Sequence, residues 1–326
     1  MRLAALVAIC LGLAQPALAD CDGTDLRGTF TAAEREDLDR ALDGRPYAEG
    51  NHWIARRGEE VVHLVGTVHL SDPRLDGPLD TLRPVIESSR LLLLEATPDG
   101  LAELQERLRT DPGLIVLQDA SLPELMPEAA WQRLADAASA RGIPPVMAAK
   151  FQPWYLTLMV SVPPCATGQL ADANGLDTRL QTIAEDAGTP MAALEEVEAV
   201  FSIFRDAPLE DQVEMLRAAL IDPGTGDDIF ATLLAAYFEE KPAQSWEVTR
   251  ILARRDAPDG SHLDTMFRDM EAALLLQRNR DWLPVILDAT GPEPIVVAAG
   301  AAHLQGTGGL ADLLEGEGFT LTRGPF

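Results

Sequence analysis

Cysteine, aromatic and basic residues are all scarce in this sequence. Of 326 residues only three are Cys and 5% are aromatic, and 26 Lys and Arg stand against 52 Asp and Glu. The shortage of positive charge argues against nucleic acid as a partner, because phosphate binding needs clustered Lys and Arg. The net charge of −26 reads more as a solubility feature than as the mark of a ligand. After the first twenty residues there is also no long apolar run. No later segment is therefore expected to cross a membrane, which takes roughly 20 apolar residues. Trp53, Trp131, Trp154, Trp246 and Trp282 are widely scattered. They read as core or substrate-wall residues, not as a stacking platform.

The one apolar run lies at the start. Arg2 gives a positive lead, Leu3 to Leu13 an apolar stretch, and Ala17-Leu18-Ala19 a small-residue cleavage site, the pattern of a secretory signal. The run is too short to be a membrane anchor. Asp20 precedes Cys21 where a lipoprotein signal needs a small residue. The mature chain, 20–326, is expected to be exported to the periplasm or secreted, and to form a single domain. Cleavage removes Cys10 and leaves Cys21 and Cys165, an even count in a compartment where disulfides persist. Spacing leaves open whether they are bridged or are two free thiols.

The periodicity predicts an α/β fold. A helical lead-in covers Thr31 to Leu42, and a β-rich run from Glu60 to Val65 stops at Gly66-Thr67-Val68-His69. A second run, Leu91 to Leu94, ends at Glu95, with Pro98-Asp99-Gly100 behind it as a turn. A third, Ile295 to Ala299, ends at Gly300-Ala301-Ala302-His303-Leu304. Between them Leu101–Arg109, Pro127–Ala140, Leu176–Ala187, Leu209–Ile221, Ile229–Phe238 and Leu263–Leu287 carry apolar residues at helical spacing. The expected architecture is a central, mainly parallel sheet flanked by helices, with a large helical insertion over roughly 98–290. Helix Leu310–Glu317 and strand Phe319–Thr322 are expected to close a strand-helix-strand unit with the third run, its strands parallel.

His69, Glu95 and His303 all fall at strand ends, where ligands gather in open α/β sheets. The pattern Gly-x-x-His-Leu occurs twice, and the glycines are expected to let the backbone turn sharply. Two imidazoles and a carboxylate make a first-row metal set with open positions for water or substrate. Manganese, cobalt, iron and zinc all suit it. Each residue also has a plain reading, as a satisfied polar group at a strand end or a turn cap. The spacing lacks the compactness that makes a zincin motif specific. Arg278 and Asn279, on the predicted helix Leu263–Leu287, could hold a substrate carbonyl or its oxyanion, or be ordinary surface groups. Asp177 reads as a helix N-cap; Glu195 reads as a second cleft carboxylate or a first-turn acid. His63 reads as a packing or surface residue, and His52 and His262 lie in polar, turn-rich stretches.

The order of these motifs resembles the TraB/GumN family and its relatives, the Tiki metalloproteases. That pattern has an early Gly-x-x-His after a strand, a strand ending in Glu, and a late Gly-x-x-His-Leu. Gly175-Leu176-Asp177-x-x-Leu180, Ala193-Leu194-Glu195, a Phe201-containing helix, Gln212 and Arg278-Asn279-x-x-Trp282 extend the likeness over about residues 45–324. The resemblance implies a divalent-metal-dependent hydrolase, with proteolysis the activity of the Tiki branch. His69, Glu95 and His303 would be the metal ligands, with Glu95 a ligand or the base, and Arg278 and Asn279 would assist catalysis on a peptide or protein substrate. The related ChaN group binds haem, so a haem- or metal-binding protein without turnover, or an envelope factor that docks a partner, stands beside the hydrolase.

Overall fold

The computed structural model describes residues 21, 23–167, 174–255 and 260–326. The predicted signal at 1–19 lies outside the described residues. Six strands form one sheet: β1 (His52–Arg57), β2 (Glu60–Thr67), β3 (Leu91–Leu94), β4 (Met191–Ala193), β5 (Ile295–Gly300) and β6 (Thr320–Arg323), in the order β4-β3-β5-β2-β1-β6. The longer helices are α1 (Ala32–Leu42), α2 (Asp76–Glu87), α3 (Pro98–Thr110), α4 (Glu128–Ser139), α5 (Pro153–Ser161), α6 (Leu176–Ala187) and α7 (Glu198–Arg205). They continue with α8 (Leu209–Ala218), α9 (Pro223–Phe238), α10 (Pro242–Arg255), α11 (Gly260–Glu271), α12 (Gln277–Ala289) and α13 (Leu310–Gly316). Among the described residues no helix is long and apolar enough to cross a membrane.

Strand β5 is apolar throughout because both its faces are covered, as buried parallel strands require. It pairs in parallel with β2 on one side and β3 on the other, and β4 extends β3 in parallel. Ile295, Val297 and Ala299 pack with Trp282 and Ile286 of α12 and with Leu310 and Leu314 of α13. Val296 and Ala298 face the opposite way, onto Leu82 and Ile86 of α2 and Leu180 and Ile183 of α6. The result is three layers: helix, sheet, helix.

The expected α/β class, with a mainly parallel sheet, is what the structure holds. Three details differ. His52 lies in β1, which pairs antiparallel with β2 through a turn at Gly58-Glu59, and is 1% exposed; a histidine in a polar context hid that strand. The region between β3 and β5 contains β4, three residues at the sheet edge and too short to leave a periodic signal. The predicted helix Leu263–Leu287 is divided into α11, a π-helical turn at Ala272–Leu276, and α12. β6 runs in the same sense as β5, as expected, but β2 and β1 lie between them.

The intervening helices have a core of their own, in which Leu122, Leu134, Leu156, Val160, Val213 and Leu216 meet. Cys21 and Cys165 are joined by a disulfide with a Cα–Cα distance of 5.2 Å, inside the usual range. It ties the start of the described chain to this helical layer.

Candidate functional site

Glu95 follows β3 directly, beside the end of β5, because the parallel register sets Leu94 opposite Ala298. Its carboxylate is held at both oxygens. Oε1 accepts the backbone N–H of Gly300 at 2.7 Å, and Oε2 accepts Nη2 of Arg278 at 2.6 Å. Burial alone would raise its pKa. The fields of His303, Arg278 and His69 and the Gly300 N–H outweigh burial and bring the pKa down to about 2.

Arg278 stands on the first turn of α12, directly after the π-helical turn, and its side chain is the hub of the cluster. Nε donates to Glu195 Oε1 at 3.0 Å, and Nη2 also reaches that oxygen. Nη1 donates to the Leu274 carbonyl at 3.1 Å and lies 3.2 Å from Nε2 of His303. The guanidinium stacks over the Trp282 ring, 4.7 Å from its centroid. Burial would lower the pKa of Arg278, but Glu195 and Glu95 together raise it. A buried cation with two carboxylates, an imidazole and a carbonyl around it is fully engaged.

The two histidines of the repeated motif both have Nδ1 near an oxygen, by a hydrogen bond in His303 and by an ion-pair contact in His69. His303 Nδ1 lies 2.7 Å from Asn279 Oδ1. Arginine only donates, so His303 Nε2 must accept from Arg278 and Nδ1–H must donate to Asn279. His303 is therefore neutral, and burial, reinforced by Arg278 and His69, lowers its pKa to about 4 against the opposing pull of Glu95. Asn279 Nδ2 in turn donates to the carbonyls of His303 and Gly308. His69 stands in the open, with its side chain 58% exposed and Nδ1 3.1 Å from Asp177 Oδ1. That contact outweighs desolvation and raises its pKa to about 9.

Neither motif glycine takes the left-handed conformation. Gly66 is required for close approach instead. A Cβ there would lie 2.9 Å from the Cβ of Ala301, so the two histidine loops touch at this point. Gly175 serves the same purpose on the other side: its Cβ would meet the Val68 carbonyl at 2.6 Å and Asp177 Oδ1 at 2.7 Å.

The predicted residues Glu95, His303, Arg278 and Asn279 are thus brought together by hydrogen bonds, with His69 at the mouth. Asn279 holds His303 and reaches neither Glu95 nor Glu195. Asp177 is not the N-cap, which is Gly175; it is a first-turn residue of α6 that faces His69. Glu195 precedes α7 and is the second cleft carboxylate. Trp282, read only as core or wall, has its ring 4.5 Å from that of His303. Among the described residues, no group of three or more His, Cys, Asp and Glu stands together at metal-binding spacing.

The fold and this cluster define an α/β protein whose ionic centre is assembled at the carboxyl ends of parallel strands. The chain belongs to the TraB/PrgY/gumN family, whose model matches residues 51–323. Comparison with curated proteins and with solved structures finds no match.

Proposed function

We propose that this chain is an exported hydrolase, acting on peptide or protein substrates, whose reacting centre is Glu95, Arg278, Glu195 and His303 with His69 at its mouth. The observation that carries the reading is the common orientation of the two motif histidines. Each has Nδ1 near an oxygen from a helix, Asp177 or Asn279, so Nε2 is the atom turned to the centre, which in His303 accepts from Arg278. Metal-ligating and catalytic imidazoles are both held in this way.

By residue type the set suits a divalent ion, with Nε2 of His69, Nε2 of His303 and Glu95 as the ligands. The three do not stand at ligand spacing here, and His69, whose pKa is raised to about 9, would have to give up its Nε2 proton. Such an ion supplies Lewis-acid polarisation and a water of lowered pKa. To make room, Arg278 must release His303 Nε2, and Glu195 is placed to retain the guanidinium. The chain's own groups have defined parts. Glu95 is ionised throughout the neutral range and accepts protons or hydrogen bonds. Arg278 is the fixed positive charge next to which a developing oxyanion is stabilised. Asn279 fixes the tautomer of His303. The Cys21–Cys165 disulfide supports export, because such bonds persist in oxidising compartments.

The test is elemental analysis of mature protein after dialysis against manganese, cobalt, iron and zinc, alongside a folded His69→Ala, His303→Ala double variant, followed by a peptide-library assay. Near-stoichiometric metal lost in the variant, with cleavage that depends on Glu95, is the expected result. Equal metal in both proteins and no cleavage would overturn the reading.

A further inference from the structure

The helical layer holds a half-open cavity of about 180 Å³ between α3, α5 and α7, with walls that are almost wholly apolar. Leu104 and Leu108 of α3, Trp154 and Leu158 of α5 and Phe201 of α7 line it. The rings of Trp154 and Phe201 stand 6.1 Å apart, and Trp154 Nε1 is tied to the Leu114 carbonyl at 3.1 Å, which fixes that wall. Arg107 and Glu198, also at the cavity, pair with each other across its rim.

Its size and lining indicate what it can take. Sites for whole small ligands measure roughly 300–1,000 Å³, so this one is too small. A dry cavity of roughly 150 Å³ holds a benzene molecule. The space therefore suits one group of benzyl or branched aliphatic size, and its walls offer almost nothing for a polar group to bond. Its position links it to the reacting centre. Glu198 at the rim is the third residue after Glu195, which holds Arg278, so their backbones are at most roughly 11 Å apart. Helix α7 also packs against both α5 and the π-helical turn that leads to Arg278.

We propose that this cavity is a specificity subsite that receives one apolar side chain of the substrate acted on at the Glu95–Arg278 centre. The word substrate rests on the hydrolase reading; the apolar selectivity of the cavity does not. The probes are N-acetyl-leucine amide, N-acetyl-phenylalanine amide and N-acetyl-serine amide, titrated into mature protein and followed by ligand-observed NMR. The first two are expected to bind about tenfold or more tightly than the third. Leu158→Trp, which fills the cavity, should remove that preference. Phe201→Ala, which enlarges it, should shift preference to N-acetyl-naphthylalanine amide. Equal binding of the three amides, or unchanged preference in a Leu158→Trp protein that melts as the parent does, would overturn the subsite. Amide selectivity without cleavage of any peptide would refute the hydrolase reading and leave the apolar site standing. Cleavage with no apolar preference would refute the subsite alone.

Discussion

The two Gly-x-x-His-Leu motifs are nearly the same in sequence and end in opposite states. His303 is 4% exposed, neutral and packed against Trp282. His69 is more than half exposed, and its pKa is raised by Asp177. Nothing within either pentapeptide decides this. The difference comes from the helix that covers each strand end: α12 brings Asn279, Arg278 and Trp282 down onto His303, whereas α6 offers His69 a single carboxylate. A repeated motif specifies where an imidazole leaves the sheet, and the covering helix specifies what it does there. One histidine is enclosed by its helix, and the other stands open to solvent.

The strongest way to break this contrast is to remove its hub. Arg278→Ala leaves Glu95 and Glu195 buried without their cation, and loss of one partner from a buried ion pair costs about 3–5 kcal/mol. Arg278→Lys should recover only part of that, since an ammonium cannot reproduce the fork to two carboxylates. Urea unfolding measures both; a loss below about 1 kcal/mol for the alanine variant would mean that the hub is not structural.

The histidines themselves should separate next. His303→Ala removes a packed ring and leaves the Asn279 amide oxygen without its donor, for an expected loss of about 2–3 kcal/mol. His69→Ala, at an exposed position, should change stability by no more than about 0.5 kcal/mol and, on the proposed hydrolase reading, should abolish peptide cleavage. Similar unfolding midpoints for the two variants would collapse the comparison.

The motif glycines sharpen it further. Gly66→Ala sets a new methyl 2.9 Å from the Ala301 Cβ, whereas at Gly300 the nearest atom to a new Cβ is Glu95 Oε1 at 3.4 Å, an ordinary contact. Overpacking predicts a loss of about 1–3 kcal/mol for the first and clearly less for the second, measured by thermal unfolding.

Much of the frame was legible in the sequence because it is written in local terms. The apolar runs ending at Gly66, Glu95 and Gly300 gave the parallel core and put His69, Glu95 and His303 at one edge. What escaped was decided over long range. Asp177 reads as a cap until Gly175 is seen to take that position, and its partner lies more than a hundred residues earlier in the chain. Glu195 had two readings, and only its salt bridge with Arg278 chooses between them. The π-helical turn before Arg278 has no local signature, since Ala272–Leu276 is as apolar and helix-prone as the segments around it. His52 and His63 were left aside for lack of any motif. They form a stacked pair, ring centroids 5.3 Å apart, next to the chain's end.

That pair provides the gentlest test, because His63, like His303, is an imidazole kept neutral by burial, but one with no carboxylate or arginine hydrogen-bonded to it among the described residues. His52 Nδ1–H donates to the Pro325 carbonyl at 2.7 Å, so its Nε2 accepts from His63 Nδ1–H at 3.0 Å. Burial, with smaller contributions from His52 and Arg56, lowers the pKa of His63 to about 4 from an ordinary 6.5. The unfolded chain therefore binds more protons than the folded one between those values. The stability that depends on a neutral His63 is present in full above pH 6.5 and is lost as pH falls towards 4. A shift of that size in a fully enclosed group would correspond to about 3 kcal/mol; solvent reaching this partly buried pair reduces it to on the order of 1 kcal/mol. His63→Gln removes the titrating ring but not the polar contact. Its melting temperature should fall less between pH 7 and pH 4.5 than that of the parent, while the carboxylates common to both proteins cancel in the difference. Parallel pH profiles would show that the strand pair opens to water without cost. Burial alone would then not suffice to keep an imidazole neutral in this fold, and the state of His303 would have to be credited to Asn279 and Arg278.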